Sequence, residues 1–577
     1  MRQYATRPSS AMTLMIQDLL DQRVLQIAHK KSPSFISKLF LRKKNDGSMR
    51  PIFDLRELNK FVKPKQFRLI SHASVPSFLQ PGDWMIKLDI SQAYFHIPAA
   101  KSHRPFLRIS YKNQLYQMTC LPFGLASAPH LFSSVTCWVA ETLRAKGCRV
   151  LVYLDDFLLV HQDQSKLCLQ AAEAVRHLEH LGWQINYQKS ILTPTQDLEY
   201  LGIRWQTIAN SMSLPTRRIN ILNEALKDSL LKSRISLREL QRLLGQLNFA
   251  NFVIPRGRLH CRNIQIFLRH FDRNRPRLKL FIPQVVEQEM IWWCRATNLW
   301  SPIHLKPATH FLATDASDWG WGAQLDGKLM SGAWSAQQKA WHSNKKELFA
   351  VIMAITSNTR SLRRSHVLVQ SDNRTLIAYI RKEGGTRSLS LLTLTFDLLN
   401  ITDKFQITLS AHYLPGRYNI IADKLSRGKP PAEWHLLPQA TREVFIRWGR
   451  PEIDLFATKQ TAVVKNYVSI DCKDRSANYI DAFSRPWGHQ LAWVFPPPNL
   501  LPKVLTHLNS ATGVYLIVAP EWPRAFWLQD LKSRALDHPH ELQNLNETLI
   551  DATTSQVPPQ VQTLTLKVWK IGGGVAK

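Results

Sequence analysis

The sequence has no run of about 18 apolar residues and no charged-then-apolar segment at its start. A membrane-spanning helix and a secretory signal are therefore not expected. Its seven cysteines are odd in number and widely spaced, without a Cys-x-x-Cys pair, which argues against a disulfide framework or a zinc knuckle. These features predict an intracellular protein of the cytoplasm or the nucleus, without membrane association.

Acidic residues are scarce relative to basic ones. The chain has 43 Asp and Glu against 75 Lys and Arg, a formal net charge of +32. Such an excess repels itself unless a polyanion neutralises it, so nucleic acid is the expected partner. A basic membrane-surface protein is the alternative, and the lack of apolar runs disfavours it. With 577 residues the chain exceeds one hydrophobic core, and about three to five domains are expected.

The hydrophobic periodicity and the charge of the sequence change along the chain. Residues 34–205 alternate short β-type runs with helical patterns, which predicts an α/β or α+β domain. Residues 214–280 are helical and basic, with 15 Lys or Arg against four Asp or Glu, which indicates phosphate contacts beyond ordinary solvated helix faces. Within them, Ser236 and Glu239 form a predicted capping box at a helix start. Proline-rich joints at 301–307 and 428–432 predict boundaries.

Two consecutive acids, Asp155 and Asp156, stand between two β-rich apolar runs in residues 149–160. This pattern is typical of a tight hairpin with carboxylates at its tip, and an ordinary Asp-Asp turn is the alternative. A second apolar run, residues 84–89, ends in Asp89. Adjacent anions repel unless a cation lies beside them, and carboxylate oxygens bind hard divalent ions such as Mg²⁺. The acids therefore predict a two-metal phosphoryl-transfer site, with Asp89 and Asp155 as ligands and Asp156 in support.

In their order from about residue 41 to residue 205, these motifs resemble those of reverse transcriptases from retroviruses and long retrotransposons. The resemblance implies that Arg50 and Lys43 or Lys44, in a segment like that of the polymerase fingers, grip the incoming triphosphate. A solvated basic turn is the alternative. Tyr94 matches the aromatic steric gate that selects deoxynucleotides, whereas an isolated tyrosine would be a core residue.

Three further segments extend this resemblance. Phe123 lies in residues 121–129, which match the motif lining the nucleotide and template site, and it replaces the glutamine of retroviral enzymes. A helix is predicted for residues 166–181, which Gly182 ends, shortly before Lys189. Lys189 falls at the position of the lysine proposed to protonate the leaving pyrophosphate, with a plain surface lysine as the alternative. Leu201 and Gly202 match the primer grip. The basic helical block that follows would be the thumb.

Between the two proline-rich joints, four more acids recur at strand ends and helix starts, namely Asp315, Glu347, Asp372 and Asp423. Their order resembles that of ribonuclease H, which implies a second two-metal site that activates water and cuts the RNA of an RNA/DNA hybrid. Retroviral enzymes have a loop histidine where this chain has Tyr413. Because His412 is out of register with it, no catalytic histidine is assigned.

The residues beyond 435 predict another α/β unit. Its layout resembles the adenine methyltransferase-related domain that follows ribonuclease H in DIRS-like tyrosine-recombinase retrotransposons, and the polymerase segment 50–59 also looks closest to that group. Active methyltransferases need Asp or Asn before a Pro-Pro pair and an aromatic residue after it. Here those positions hold Phe495 and Pro498. A binding or scaffold role is therefore expected rather than methylation.

The chain is thus predicted to be a multidomain α+β and α/β protein, with a right-hand polymerase, a ribonuclease H-like domain and a C-terminal α/β domain. The predicted borders are fingers and palm 1–210, helical thumb 211–282, connection 283–306, ribonuclease H 307–427, linker 428–435, methyltransferase-like domain 436–560 and tail 561–577.

The predicted function is that of a retrotransposon RNA-directed DNA polymerase that makes cDNA from an RNA template and degrades the RNA strand of the hybrid. A catalytically silent nucleic-acid-binding scaffold derived from such an enzyme is the alternative. Each site is expected to hold two Mg²⁺ ions, or Mn²⁺ in their place. The expected partners are the RNA template, the DNA primer, the hybrid and deoxynucleoside triphosphates. A recombinase or integrase and a coat-like protein are expected as separate chains of the same element.

Overall fold

The computed structural model describes residues 9–28, 34–43, 49–428, 434–471, 474–552, 555–558 and 561–575. The chain divides into two compact units. The first comprises 1–233, 245–257 and 290–305, and the second comprises 234–244, 258–289 and 306–577. The helices Leu237–Ala250 and Gln284–Ala296 contribute residues to both. Among the described residues, no helix combines the length and apolarity needed to cross a lipid bilayer.

A four-stranded antiparallel sheet is central to the first unit. Its strands lie in the order Arg149–Tyr153, Asp156–His161, Trp84–Asp89 and Ile191–Thr195. The helices Ala128–Ala145 and Gln164–His180 pack on it, burying Ile86 and Leu88 in one cluster with Leu143 and Leu178. The second helix ends just before Gly182, whose φ of +81° favours glycine, so the predicted helix stop is confirmed.

Two further sheets complete the first unit. A five-stranded sheet contains the hairpin in which Lys43 pairs with Met49, and a four-stranded sheet contains the hairpin in which Tyr200 pairs with Ile203. The five strands are, in order, Leu25–Ile27, Gln114–Met118, Arg108–Tyr111, Ile36–Lys43 and Met49–Asp54. The four strands are Asp197–Tyr200, Ile203–Gln206, Ser211–Ser213 and Ser301–Pro302, and the helices Ser10–Asp21 and Thr216–Leu230 also belong to this unit.

The second unit begins with the predicted capping box. The backbone amide of Ser236 donates to Glu239 Oε2 at 2.9 Å and the amide of Glu239 donates to Ser236 Oγ at 3.4 Å, at the start of Leu237–Ala250. This confirms the predicted helix start. The short strands Arg234–Ser236 and Lys279–Phe281 pair beside it.

A five-stranded mixed sheet forms the middle of the second unit. Its strands are, in order, Lys328–Ala333, Gly320–Leu325, His310–Ala316, His366–Ser371 and Thr408–Tyr413. The last three run parallel. The helices Ser343–Thr356, Arg374–Arg381 and Leu389–Phe405 bury their apolar faces in one core with this sheet, and the helix Ile420–Ser426 lies against its strands.

The C-terminal part of the second unit is a separate sheet. Its strands are, in order, Ile453–Asp454, Gly488–Val494, Thr512–Pro520, Leu566–Gly572 and His540–Glu541. The first three are parallel, and the helices Pro438–Trp448, Leu501–Leu508 and Leu528–Ser533 accompany them. The predicted α/β character is thereby confirmed. Leu414 and Tyr418, from the preceding sheet region, belong to the hydrophobic cluster of this sheet.

Candidate active sites

The palm hairpin brings three carboxylates to one end of its sheet. Tyr153 pairs with Asp156, which leaves Leu154 and Asp155 as a two-residue loop. Leu154 has a φ of +53°, a conformation that costs a non-glycine residue energy and is favoured at tight hairpin turns. Asp89 lies directly opposite Asp156 on the neighbouring strand, and the amide of Ile90 donates to the carbonyl of Asp155 at 3.2 Å. The two separate sequence motifs therefore meet in space.

Burial and repulsion by neighbouring carboxylates disfavour the charged forms of Asp89 and Asp155. Desolvation is the main cause of a raised pKa at both Asp89 and Asp155, and the charge of Asp156 raises both further. The charge of Lys189 opposes the shift at both. Lys87 Nζ lies 3.0 Å from Asp156 Oδ1. A cluster of carboxylates held under repulsion is the donor set that a hard divalent cation neutralises, so the residues fit such an ion.

Lys87 is a member of this site that the sequence motifs did not include. It precedes Asp89 by two residues in the same strand, and residues two apart on a strand share a face. That alternation was the signal that could have identified it. Ser190 was also missed, although its Oγ accepts the amide of Asp89 at 3.0 Å.

The predicted sugar-selecting residue lies beside the carboxylates. The Tyr94 ring centroid is 4.7 Å from that of Phe123 and 5.1 Å from that of Phe132. Burial raises the pKa of Tyr94 above its ordinary value, and the nearby charge of Asp155 adds to the shift. Tyr94, Phe123 and the acids therefore share one site.

The remaining predicted nucleotide-binding residues differ in what the structure shows of them. Lys189 is exposed, and its charge acts on Asp89 and Asp155. Lys43 ends the strand Ile36–Lys43 of the finger-like hairpin. Lys44 lies outside the described residues, and only the backbone of Arg50 is described, paired with Arg42.

The predicted primer grip is a two-residue turn between Tyr200 and Ile203. Leu201 has a φ of +51° and Gly202 a φ of +74°, the backbone signs of a type I′ hairpin. A Cβ at Gly202 would clash with the guanidinium of Arg218, which lies over the turn. The hydroxyl of Tyr200 donates to the carbonyl of Asp156 at 3.2 Å, which joins this hairpin to the palm carboxylates.

A second set of carboxylates lies in the other unit. Asp315 projects from the strand His310–Ala316, Glu347 from the helix Ser343–Thr356, and Asp372 directly follows the strand His366–Ser371. Each offers an oxygen within 4.8 Å of the others. In the part of the chain that the structure describes, no other three His, Cys, Asp or Glu residues converge so closely, and the trio of Asp89, Asp155 and Asp156 does not.

The second cluster is the more strongly perturbed. Burial raises the pKa of Asp315 to about 6 and that of Glu347 to about 9, and burial also raises the pKa of Asp372. Glu347 Oε2 is buried and has no hydrogen-bond partner. An unpartnered buried carboxylate oxygen that faces two other acids is stabilised by a bound cation. These residues therefore fit a divalent metal ion.

Asp423 stands at the edge of this cluster. It lies in the helix Ile420–Ser426, and its Oδ1 accepts Arg427 Nε at 2.8 Å. Its charge contributes to the raised pKa of both Asp315 and Asp372, although it is not one of the three converging ligands. Ser426 Oγ donates to Asp315 Oδ2 at 2.7 Å. Ser426 was missed from the sequence, where its place three residues after Asp423 on a helix was the available signal.

The two carboxylate clusters lie in regions that match two known protein families. Residues 41–205 match the family described as reverse transcriptase (RNA-dependent DNA polymerase), and residues 307–394 match the RNase H-like domain found in reverse transcriptase. The chain carries a reverse transcriptase domain and a ribonuclease H-like domain. The first domain contains all three palm acids, and the second contains Asp315, Glu347 and Asp372. Asp423 and the C-terminal sheet lie outside both matches.

Three polyproteins are among the relatives of this chain. It is 25% identical over 253 residues to the Gag-Pol polyprotein of Walleye dermal sarcoma virus, which is 44% of this chain and 14% of that protein. It is 25% identical over 394 residues to the Genome polyprotein of Petunia vein clearing virus, 66% of this chain and 17% of that protein. It is 26% identical over 423 residues to the Transposon Tf2-3 polyprotein of Schizosaccharomyces pombe, 70% of this chain and 29% of that protein. The chain thus spans less than a third of each.

A solved structure of the foamy viral protease-reverse transcriptase dRH in complex with ds DNA aligns with a TM-score of 0.48 at 18% identity, over 71% of each chain.

Proposed function

We propose that the chain is an RNA-directed DNA polymerase that copies an RNA template into cDNA and removes the RNA strand of the resulting hybrid. One observation carries this proposal. Each of the two matched domains contains a carboxylate cluster whose members come from distant sequence motifs, and burial raises the pKa of Asp89 and Asp155 in the first and of Asp315 and Glu347 in the second. The formal net charge of +32 suits a polyanionic template and product.

In the polymerase site, Asp89 and Asp155 would hold divalent ions, with Asp156 in support. Bound Mg²⁺ supplies charge neutralisation for in-line phosphoryl transfer. The hairpin turn at Leu154 fixes the two adjacent acids, and the strand pairing of Asp89 with Asp156 sets their spacing. Lys87 forms an ion pair with Asp156.

Other residues of the first unit bind and orient the substrates in this proposal. Tyr94, against Phe123, would exclude a 2′-hydroxyl. Lys189, exposed near Asp155, would give a proton to the leaving pyrophosphate. Lys43, Lys44 and Arg50 would contact the triphosphate, and Leu201 and Gly202 the primer end.

In the ribonuclease H-like site, Asp315, Glu347 and Asp372 would hold the ions, with Asp423 at the edge. Bound Mg²⁺ supplies an activated water and charge neutralisation. The rigid strands and helix place the three carboxylates, and Ser426 orients Asp315. The partner of this site would be the RNA/DNA hybrid that the first site produces.

Primer extension on an RNA template with Mg²⁺ tests the polymerase assignment. Asp155→Asn should abolish extension, with the exposed Glu141→Gln on the helix Ala128–Ala145 as the matched control. Asp372→Asn should abolish hybrid cleavage and leave extension intact. Extension at full rate by Asp155→Asn would refute the assignment of the site, and a wild-type chain that binds nucleic acid without either reaction would be a silent scaffold.

We further propose that the source is a DIRS-like element and that the C-terminal domain derives from an adenine methyltransferase. A cavity of about 570 Å³ opens at the carboxyl ends of the parallel strands of this domain, where α/β sheets bind ligands. Phe456, Phe495 and Pro498 line it together with Gln324 and Asn419 of the ribonuclease H-like region. Phe495 and Pro498 occupy the positions that active enzymes use to bond and stack adenine. No transfer from labelled S-adenosylmethionine to DNA is expected, and transfer would contradict this.

We also propose the domain borders inferred from the sequence, namely fingers and palm 1–210, thumb 211–282, connection 283–306, ribonuclease H 307–427, linker 428–435 and methyltransferase-like domain 436–560. One border is corrected, because the strand Leu566–Gly572 of the predicted tail 561–577 pairs with Thr512–Pro520 and belongs to the C-terminal sheet. A recombinase or integrase and a coat-like protein would be supplied by other chains of the element. Limited proteolysis tests the linker 428–435, where cleavage is expected first.

A further inference from the structure

The segment 412–419 connects three of the four ribonuclease H acids. A Cβ on Gly416 would lie 2.5 Å from Asp372 Oδ2, so the backbone passes directly beside that acid. Asn419, which is buried, donates from Nδ2 to the carbonyl of Thr314 at 2.8 Å, next to Asp315. The helix Ile420–Ser426, which carries Asp423, begins at Asn419. The position of this segment therefore affects the placement of all three acids.

The C-terminal domain packs against the same segment. Its described part starts at Trp434. The ring of His412 stacks on Phe526 with centroids 4.3 Å apart, and the ring of Tyr418 lies against Trp522 with centroids 3.3 Å apart. Leu414 and Tyr418 are buried in the hydrophobic cluster of the C-terminal sheet. Both ends of the segment are thus packed against residues that follow the ribonuclease H-like domain in sequence.

Asn499 adds a second attachment to the ribonuclease H-like sheet. Its Nδ2 donates to Gln324 Oε1 at 2.6 Å, and its backbone carbonyl accepts Gln370 Nε2 at 2.9 Å. All three residues are buried. Gln324 and Gln370 lie on the two strands that flank the Asp315 strand, and buried amides left without partners are costly. Asn499, which directly follows Pro498, therefore joins the C-terminal domain to the ribonuclease H-like sheet.

We propose that the C-terminal domain positions the ribonuclease H acids, with Phe526, Trp522 and Asn499 as positioning residues that act through the 412–419 segment and the two glutamines. This inference rests on the proposed ribonuclease H function. Hydrolysis then depends on contacts made by a domain that takes no part in the chemistry. The His412 side chain belongs to this contact.

Variants of the 577-residue chain test the proposal. Phe526→Ala removes the stack on His412, Asn499→Ala removes the buried donor, and Ile446→Ala, on an exposed side chain of the same domain, is the matched control. Phe526→Tyr keeps the ring and should restore activity. Phe526→Ala and Asn499→Ala should each lower kcat/KM for hybrid cleavage by about tenfold or more, because small displacements of preorganised groups are costly. Primer extension should stay within about twofold of wild type, since the polymerase acids are untouched.

Two measurements without substrate complete the test. Mn²⁺ titration followed by electron paramagnetic resonance should show weaker binding in both variants, and hydrogen exchange should accelerate in peptides covering 412–426. Unchanged cleavage, Mn²⁺ affinity and exchange in both variants would overturn the proposal, as would an equal loss of cleavage and extension. If wild type fails to cleave the hybrid, the ribonuclease H function is refuted, while Mn²⁺ binding and exchange still decide this inference.

Discussion

Replacing Glu347 by glutamine should make the metal-free ribonuclease H region resist unfolding at alkaline pH. Burial among Asp315 and Asp372 raises the pKa of Glu347 from its ordinary value of 4.5 to about 9. At pH 8 the unfolded chain releases this proton and the folded chain retains it. Between pH 4.5 and pH 9 the folded state therefore loses about 1.4 kcal/mol of stability per pH unit. The total loss is under about 1 kcal/mol at pH 5 and about 4 to 5 kcal/mol at pH 8.

The sign follows from the direction of the shift. A carboxyl whose folded pKa is raised contributes its full stability below pH 4.5, and that contribution is lost as the pH rises towards 9. Glutamine cannot ionise, so Glu347→Gln removes this dependence. The buried amide has its own cost of about 1 to 3 kcal/mol, which is the same at both pH values. The stability difference between variant and wild type should thus move in favour of the variant by about 4 kcal/mol from pH 5 to pH 8.

Native-state hydrogen exchange in EDTA provides the measurement. Peptides from the helix Ser343–Thr356 report the free energy of opening, and comparing variant with wild type at the same pH cancels the intrinsic pH dependence of exchange. Asp397→Asn, at an exposed carboxylate of the helix Leu389–Phe405, is the control. A difference between Glu347→Gln and wild type that is equal at pH 5 and pH 8 would refute the reasoning. Adding Mg²⁺ should stabilise wild type and not the variant.

Three other outcomes are expected. The affinity of the ribonuclease H-like site for Mg²⁺ should rise with pH between about 6 and 9, by up to about tenfold per pH unit for each proton displaced. An affinity measured by calorimetry that does not change with pH would contradict the raised pKa values of Asp315 and Glu347. Gly202→Ala should lower the free energy of unfolding by about 1 to 2 kcal/mol in urea, because the φ of Gly202 is positive and Arg218 lies over the turn. An unchanged free energy of unfolding would mean that the turn accommodates the added methyl group without strain. Tyr94→Val should increase ribonucleotide incorporation at least about tenfold in single-nucleotide extension; unchanged discrimination would remove Tyr94 from the sugar site.

Much of the fold followed from local patterns. The hairpin at Asp155, the helix that ends before Gly182 and the capping box at Ser236 were all predicted and are present. Each depends on residues within a few positions of one another, through strand alternation, the conformational freedom of glycine or a side chain reaching a nearby amide. The identities of the seven predicted acids came from the same kind of pattern, read in order.

Other features depended on parts of the chain that are far apart in sequence. Asn499 and Phe526 carry no local signal for their contacts, because what they touch is set by how two sheets pack. The pKa values of Glu347 and Asp315 likewise depend on burial, which a linear pattern does not measure.

The sequence by itself determined which acids this protein carries, on which strands and helices they lie, and that its charge suits nucleic acid. Only the tertiary structure decided that Asp315, Glu347 and Asp372 converge within 4.8 Å, that Lys87 faces Asp156, and that the C-terminal domain grips the 412–419 segment. The physical reason is range. Backbone sterics and the alternation of side chains along a strand act between residues that are close in sequence, so they can be predicted from it. Burial, electrostatic coupling and packing arise between surfaces that meet only after folding.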